Sequence, residues 1–280
     1  MKLFPGPVPG LLLAPFLLPL HGLGPGLGRP QEGGAADEAQ RALLSTLAEG
    51  GVDVDLAAGA VSIEAAVLVK GDLLEYLLVG PGGAAHESLF VTGVTPSLLN
   101  AGMLALGVEA GTNATWELVE PAPSLEERRA GKKPYRVLSP AGDGFHVYAA
   151  WREGGEEFFY RVEDLIANLR TGRAMVRHAW VFLGSTFIEP RPGEGEVFAA
   201  DLEQNLVNLT FFREGHTLAT AALEDCEDQS IWIANTWLLP EREAHVRLIF
   251  ARGPLKETPA SLSAKLPLVA PPAGTGDEDG

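Results

Sequence analysis

The residues of this sequence best suited to chemistry are a histidine and a glutamate next to each other, His86 and Glu87. A histidine beside a carboxylate can transfer protons or bind a metal ion. Neighbouring residues of a β-strand point to opposite faces, so the two can share a site only if this stretch is a loop. Two further histidines, His146 and His178, could join them only through the tertiary fold, and their spacing matches no zinc motif. A metal-assisted or acid–base enzyme is therefore one hypothesis.

Other polar and aromatic residues could line a binding site instead. Ser185 lies in Gly-Ser-Thr and lacks the Gly-x-Ser-x-Gly elbow that presents a nucleophile. Asn235 lies between two tryptophans. We take these two residues, together with His86 and Glu87, as candidate polar residues of a ligand site. Three tryptophans on or near predicted strands are candidates for an aromatic groove, although aromatic residues on strands also fill protein cores: Trp180, Trp232 and Trp237.

The cysteine count limits the cofactors. An iron–sulphur cluster needs four thiolate ligands, and Cys226 is the only cysteine, so such a cluster is excluded. Carboxylates on both sides of Cys226 disfavour its thiolate form. The stretch that starts at Asp201 begins like a calcium loop but lacks the glycine and the closing glutamate that this loop requires. We predict no metal and no cofactor.

The overall charge excludes another class of partner. The chain has 21 Lys and Arg against 37 Asp and Glu, which gives a formal net charge of -16. Such a charge repels nucleic-acid backbones and anionic lipid surfaces. With 46% hydrophobic residues, the chain can nevertheless bury an ordinary core. We therefore predict a globular protein that does not bind nucleic acid.

The two ends of the chain differ from its middle in composition. Residues 11–20 are apolar, follow one early lysine, and are too short and too rich in proline to span a bilayer. We interpret residues 1–21 as an export signal, which predicts a periplasmic or secreted protein without a transmembrane span. Glycine and proline make residues 22–36 a predicted linker. Residues 37–252 are predicted to form a single domain, followed by a disordered acidic tail at 253–280.

Apolar and polar residues alternate along much of this domain. The alternation predicts β-hairpins at residues 52–69 and 145–160. Thr95 and the proline after it predict the start of a helix that ends at Gly107, and apolar spacing predicts a second helix over residues 162–172. Strands outnumber helices, and most connections are too short for helical crossovers. The predicted fold class is α+β, with mainly antiparallel sheets and a few short helices.

Several segments resemble a known family. They are His-Glu-Ser-Leu-Phe-Val-Thr at 86–92, Trp-Val-Phe-Leu-Gly-Ser at 180–185, Ala-Asp-Leu-Glu-Gln-Asn-Leu-Val at 200–207, and Trp-Ile-Ala-Asn at 232–235. In this order they resemble the YdjY domain family over roughly residues 50–245. The resemblance implies a bacterial protein, often exported, with no settled reaction. Some members carry ferredoxin-like names, a role that the single cysteine of this chain does not allow.

Two hypotheses follow from the sequence. The first is a non-enzymatic binding or accessory domain outside the cytoplasm, whose partner is an envelope or extracellular protein or a small ligand. It is motivated by the apolar N-terminal run, the lack of a catalytic motif and the aromatic strands. The second is the metal-assisted or acid–base enzyme that uses His86 and Glu87. We expect the first. The observation that separates the two hypotheses is whether polar groups converge in a concave pocket or whether the strand aromatics merely fill the core.

Overall fold

The computed structural model describes residues 32–68 and 71–270. The predicted signal at 1–21 and most of the predicted linker at 22–36 lie outside these ranges. Two compact units divide the chain, residues 1–39 and 40–280, and the description below concerns the second. The α-helices in the described ranges are α1 (Glu32–Glu49), α2 (Pro96–Ala105), α3 (Leu125–Arg129), α4 (Ala199–Glu203) and α5 (Ala260–Ser263).

The strands share a length of two to ten residues and are named in chain order. They are β1 (Val52–Asp55), β2 (Ala60–Val67), β3 (Tyr76–Val79), β4 (Ser88–Val91), β5 (Thr115–Leu118), β6 (Tyr135–Leu138), β7 (Gly144–Glu153), β8 (Glu156–Arg161), β9 (Ile166–Asn168), β10 (Arg173–Ala174), β11 (Trp180–Phe182), β12 (Phe187–Ile188), β13 (Val197–Phe198), β14 (Asn205–Asn208), β15 (Ala219–Thr220), β16 (Trp232–Ala234), β17 (His245–Ala251) and β18 (Leu268–Val269). Short 3-10 helices cover Ala85–Glu87, Val162–Leu165 and Glu224–Glu227.

Eight of these strands close into a barrel. Their order is β2, β17, β7, β11, β15, β14, β3 and β4, and β4 pairs again with β2. The pairs β14–β15 and β3–β4 are parallel, and the other pairs around the barrel are antiparallel. The predicted α+β fold with mainly antiparallel sheets is therefore wrong, because the fold is built on a closed mixed barrel. Alternation shows which face of a strand is buried, but it does not show which distant strand is its neighbour.

The local predictions from alternation and helix signals have mixed outcomes. The two hairpins are confirmed as β1–β2 and β7–β8, and the helix after Thr95 is confirmed as α2. The helix predicted at 162–172 is wrong, because a single 3-10 turn at Val162–Leu165 leads directly into β9. In β9, Ile166 is held by pairing with β16, so tertiary pairing overrides the helical spacing.

The core fills the barrel. Alternate residues of β2, namely Val61, Ile63, Ala65 and Val67, belong to the main buried cluster. Among its largest fully buried side chains are the aromatic residues Phe90, Phe145, Trp151, Trp180, Phe182, Trp232 and Phe250. Each large apolar side chain removed from water contributes about 1.5–3 kcal/mol to stability. Burial of these side chains therefore stabilises the strands that carry them.

The C-terminal segment covers part of the outer face of the barrel. Leu262 and Leu266 are buried in a second cluster against Tyr148 and Ile249. β18 pairs in parallel with the end of β7, and the backbone N–H of Leu255 donates to the Tyr148 hydroxyl at 2.7 Å. The disorder predicted from residue 253 is therefore not observed over 253–270, because apolar residues four apart anchor this segment. Residues 271–280 lie outside the described ranges.

No helix in the described ranges is long and apolar enough to cross a membrane.

Candidate functional site

A groove lies on the barrel wall where two strands separate along β2. The first half of β2 pairs with β1 up to Ile63, and its last residues, Ala66 and Val67, pair with β4. At Glu64 and Ala65 neither strand continues the pairing on that edge. We call this gap the β2 groove. It is lined by residues 49–51, 64–66, 81, 91–94 and 245 and has a volume of about 690 Å³.

A threonine and several glycines keep the groove open. The Thr92 hydroxyl donates to the Glu64 carbonyl at 2.7 Å and accepts the Val94 N–H at 3.2 Å. The hydroxyl thus satisfies a carbonyl at the gap, where β1 and β4 leave β2 unpaired. Gly51 has φ +85, which disfavours any side chain there. Gly93 is exposed, and a Cβ placed on it would meet no atom within 4 Å. Three glycines, Gly50, Gly51 and Gly93, thus belong to the groove lining.

One acid–base pair lies at the groove. The His245 Nδ1 and the Glu64 Oε1 are 2.5 Å apart, and their side chains are 60% and 54% exposed. A carboxylate only accepts hydrogen bonds, so Nδ1–H donates and Nε2 of a neutral His245 is left as an acceptor. The pair belongs to the outer face of the sheet, because Val61, Ile63 and Ala65 point inward. Its polar atoms are thus accessible from the groove.

A structural ion cluster lies beside the groove on the same outer face. Asp53 accepts hydrogen bonds from Arg247 and Lys265, and Arg247 also donates to the Ser62 hydroxyl at 2.9 Å. Burial acts to raise the pKa of Asp53, but the two cations outweigh burial and lower that pKa. Because Lys265 comes from the C-terminal segment, this cluster ties that segment to the barrel. We assign it a structural role.

The sequence of the chain matches a known family. A family model described as the YdjY domain matches residues 52–251, well over half of the 280 residues. The chain belongs to the YdjY domain family. This confirms the resemblance of residues 50–245 that the sequence motifs carry. No curated protein and no solved structure shows a significant match to the chain.

The first predicted pair of this YdjY domain lies on the surface. His86 and Glu87 belong to the 3-10 helix before β4, which is the non-strand conformation that lets them approach. The His86 Nε2 and the Glu87 Oε1 are 3.8 Å apart, and the His86 side chain is 82% exposed. Nearby, burial and the charge of Glu87 raise the pKa of Glu75. Among the described residues, no hydrogen bond or ion pair connects His86 or Glu87 with His146 or His178.

Ser185 and Asn235 both use their side chains to hold the backbone. The Ser185 hydroxyl donates to the His216 carbonyl at 2.9 Å and accepts the N–H of Ala200 at 3.2 Å. Ser185 itself has φ 54, an uncommon backbone conformation that these contacts stabilise. The Asn235 amide donates to the Asp164 carbonyl at 2.9 Å. Neither residue lines the β2 groove.

The three tryptophans of the predicted aromatic groove have different environments. Trp180 and Trp232 are 0% and 1% exposed and belong to the main core, whereas Trp237 is 94% exposed. Among the described residues, no ring contact joins any two of them. Trp180 belongs to the barrel strand β11, whereas Trp232 belongs to β16, which pairs with β9 beside the barrel. Trp237 lies in the turn after β16, where no strand covers it. The structure does not assemble an aromatic groove from these residues.

The other two histidines belong to a buried polar cluster, which we call the Glu163 cluster: Arg161, Glu163, His146, His178 and Trp180. The Arg161 Nε donates to the Glu163 Oε2 at 2.9 Å, and the Trp180 indole N–H donates to Oε1 at 3.1 Å. The Glu163 side chain is fully buried, and that of His178 is 10% exposed. This cluster connects the end of β8 with β7 and β11.

The two histidines of the Glu163 cluster have fixed tautomers. Arg161 can only donate, so the His146 Nδ1 accepts its N–H at 2.9 Å. The His178 Nδ1 donates to the Val176 carbonyl at 3.0 Å, and its buried Nε2 has no partner among the described residues. Burial lowers the pKa of both histidines, and the charge of Arg161 lowers both further. Both imidazoles are therefore held in the neutral form.

The acidic stretch around Cys226 is also engaged in structure. Cys226 is buried, and burial raises the pKa of its thiol far above the ordinary value. Glu227 pairs with Lys133, and Asp228 pairs with Arg170. A groove of about 610 Å³ adjoins this stretch, and its lining residue Arg136 pairs with Glu117. In the described ranges, no three His, Cys, Asp or Glu residues are arranged to hold a metal ion.

No sequence motif marks the residues of the β2 groove. Glu64 and His245 are 181 positions apart in the chain, and no short motif links them. One signal was present: if Val61, Ile63 and Ala65 face inward, Glu64 must face outward. The gap itself depends on where β1 and β4 leave β2, and this pairing is a property of the closed barrel. The groove could therefore be recognised only once the strand order was known.

Proposed function

We propose that this YdjY domain is a non-enzymatic binding domain that acts outside the cytoplasm and holds a small organic ligand in the β2 groove. The observation that carries this proposal is the groove itself, with a volume of about 690 Å³. Small-molecule sites in proteins typically measure about 300–1,000 Å³. Glycine walls allow a ligand to approach the main chain closely. The apolar run at residues 11–20 supports a location outside the cytoplasm.

The chemistry around the groove favours binding over catalysis. The groove is lined by glycine, alanine, valine, proline and threonine besides Glu49, Glu64 and His245, and it contains no serine or cysteine nucleophile. Ser185, Cys226 and the Glu163 cluster are engaged in other parts of the fold. His86 and Glu87 are outside the groove lining as well. These placements support a ligand site more than the acid–base enzyme of the second hypothesis.

The proposal is tested by filling the groove. We expect Gly93→Leu to fold, because a side chain at this position meets open space and the backbone is not in the left-handed region. The added side chain should occupy the groove and abolish the binding of fragments that the native chain binds. The measurement is ligand-detected NMR with a library of small amines, alcohols and acids on the full chain.

The matched control is Gly253→Leu. A Cβ at Gly253 also meets no atom within 4 Å, and this residue does not line the groove. The control should bind the same fragments as the native chain. The proposal is wrong if no fragment binds the native chain, or if Gly93→Leu leaves binding unchanged.

A further inference from the structure

The β2 groove has an unbalanced set of charges. Its lining includes the carboxylates of Glu49 and Glu64, and none of the residues that line it is lysine or arginine. Elsewhere on the same face, Asp53 is neutralised by two cations. Among the described residues, the ion-pair partner of Glu64 is His245, whose charge depends on protonation. A neutral His245 leaves the groove with negative charge.

The polar atoms left open at the groove are acceptors. The His245 Nδ1 uses only one oxygen of Glu64, so the other oxygen retains its acceptor sites. A neutral imidazole that donates through Nδ1 presents a lone pair at Nε2. Because Nδ1 is the ring nitrogen that contacts Glu64, the Nε2 lone pair points away from that carboxylate. The free oxygen of Glu64 is therefore the acceptor that suits a group with several N–H donors and a positive charge, such as an ammonium group.

The rest of the groove suits an aliphatic body. Val91, Val94 and Ala66 are half-buried and line the groove together with exposed Pro81. They offer apolar surface, but they include no aromatic ring that would stack on a flat ligand. Gly93 leaves the main chain accessible, since a Cβ there would meet no atom within 4 Å.

From this geometry we infer that the β2 groove binds a small aliphatic amine as a cation, with the ammonium group at the free carboxylate oxygen of Glu64 and the hydrocarbon part against Val91 and Val94. This inference rests on the proposed function, because it names the ligand class of the same site. The net charge of -16 also favours a cationic ligand, since it attracts cations and repels anions at long range.

Three probes with the same hydrocarbon chain test the inference: n-hexylamine, 1-hexanol and hexanoate. At pH 7.5 they present a cation, a neutral hydroxyl and an anion. Titration of the full chain, followed by NMR shift changes at low salt, should give an affinity for hexylamine about fivefold or more above that for hexanol, with hexanoate weakest. Higher salt should reduce only the preference for the amine, because salt screens exposed charges.

Two variants separate the local charge from the overall charge. Glu64→Gln should weaken hexylamine binding roughly fivefold. Glu126→Gln removes the same charge from exposed α3, outside the groove, and should leave hexylamine binding within about twofold. Loss of affinity in Glu64→Gln alone supports a direct contact with the ammonium group. Equal losses in both variants would overturn the inference in favour of a long-range effect.

The outcomes also separate this inference from the proposed function. If hexanol or hexanoate binds as tightly as hexylamine and Gly93→Leu abolishes that binding, the groove binds ligands but the cationic class is wrong. If none of the three probes binds, the inference fails, and the wider fragment screen decides the proposed function independently. Binding of hexylamine that Gly93→Leu does not affect overturns both.

Discussion

The β2 groove and the Glu163 cluster contain the same kind of side-chain pair, a glutamate beside a histidine, in opposite environments. Glu64 and His245 are 54% and 60% exposed, whereas Glu163 and His178 are 0% and 10% exposed. The buried glutamate accepts hydrogen bonds from Arg161, Trp180 and the backbone of His178. The exposed glutamate pairs with His245, its one ion-pair partner in the part of the chain that the structure describes, and has open space beside it. Residue type alone therefore does not distinguish a structural site from a binding site.

The two sites differ in how many of their polar atoms have a hydrogen-bond or ion-pair partner. In the Glu163 cluster every charge has a counter-charge, and the cost of burying the glutamate is offset by at least three donors. At the groove, the remaining acceptors face solvent, and the proposed ligand would replace water there. The first arrangement should dominate stability, and the second should contribute little to it. The following predictions test this contrast.

The largest expected effect is that of Glu163→Gln. The substitution keeps the shape of the side chain but leaves the guanidinium of Arg161, itself 10% exposed, without a counter-charge. Breaking a buried ion pair in this way costs about 3–5 kcal/mol. Urea denaturation followed by tryptophan fluorescence measures the change in the free energy of unfolding.

A neighbouring residue supplies the control for Glu163→Gln. Asp164 pairs with Arg177, whose side chain is 63% exposed, and loss of an exposed pair costs about 1 kcal/mol or less. Asp164→Asn should therefore reduce stability far less. Similar losses for the two variants would contradict the structural role of the Glu163 cluster.

The next effect is a dependence of stability on pH. Burial lowers the pKa of His178, and a proton on its unpartnered Nε2 would be a buried donor without an acceptor. The unfolded chain, with a histidine pKa of about 6.5, therefore binds this proton more readily. Stability should be fully present above that pH and decrease as the pH falls through it towards the lower folded-state pKa.

Unfolding at several pH values between 8 and 5 measures this dependence. His178→Gln cannot titrate, so its stability should decrease less steeply over the same interval than that of the native chain. His146 contributes in the same direction, because its pKa is also lowered by burial and by Arg161. Identical pH profiles for the native chain and His178→Gln would contradict the assignment.

A smaller effect is expected for the exposed pair of the groove. A double-mutant cycle with Glu64→Gln and His245→Gln should give a coupling energy of about 0.2–1 kcal/mol, as is usual for exposed pairs. High salt should reduce it further. A coupling above about 2 kcal/mol would show that the pair is structural, and the contrast with the Glu163 cluster would then fail.

The smallest effect is expected for Gly93→Ala, which should increase stability, whereas Glu163→Gln should decrease it. The added methyl group meets open space, and the unfolded chain loses conformational freedom, so stability should rise by about 0.5 kcal/mol. Gly51→Ala is the matched comparison, because Gly51 has φ +85. It should destabilise the protein by about 1–2 kcal/mol. Thermal denaturation of both variants shows the two signs.

The sequence predicted those parts of the fold that depend on neighbouring residues. The hairpins β1–β2 and β7–β8 are governed by alternation and by glycine turns, and α2 begins at a proline preceded by threonine. The YdjY family was recognised because its motifs are local as well. The closure of the barrel depends on the pairing of β2 with β4 and on two parallel pairs, which local patterns do not encode.

The candidate site was harder to predict than the fold. His86 and Glu87 can be recognised as a pair in the sequence because they are adjacent in the chain. Glu64 and His245 are brought together only by the pairing of β2 with β17. Open space is also invisible in a sequence: Gly51 and Gly93 look alike until their surroundings are known. Tryptophan is ambiguous for a related reason, because the same residue type fills cores and lines grooves.

The two faces of β2 have different roles, and this has a consequence for the evolution of the family. Val61, Ile63, Ala65 and Val67 point into the barrel and hold the fold, whereas the neighbouring residues 64 and 66 face the groove. The gap itself is maintained by main-chain pairing and by the Thr92 hydroxyl. Exchanges at 64, 66, 93 or 245 would therefore change the proposed ligand site without disturbing the interior. On the proposed function, relatives that share this barrel would differ in ligand through a few surface substitutions while their cores stay the same.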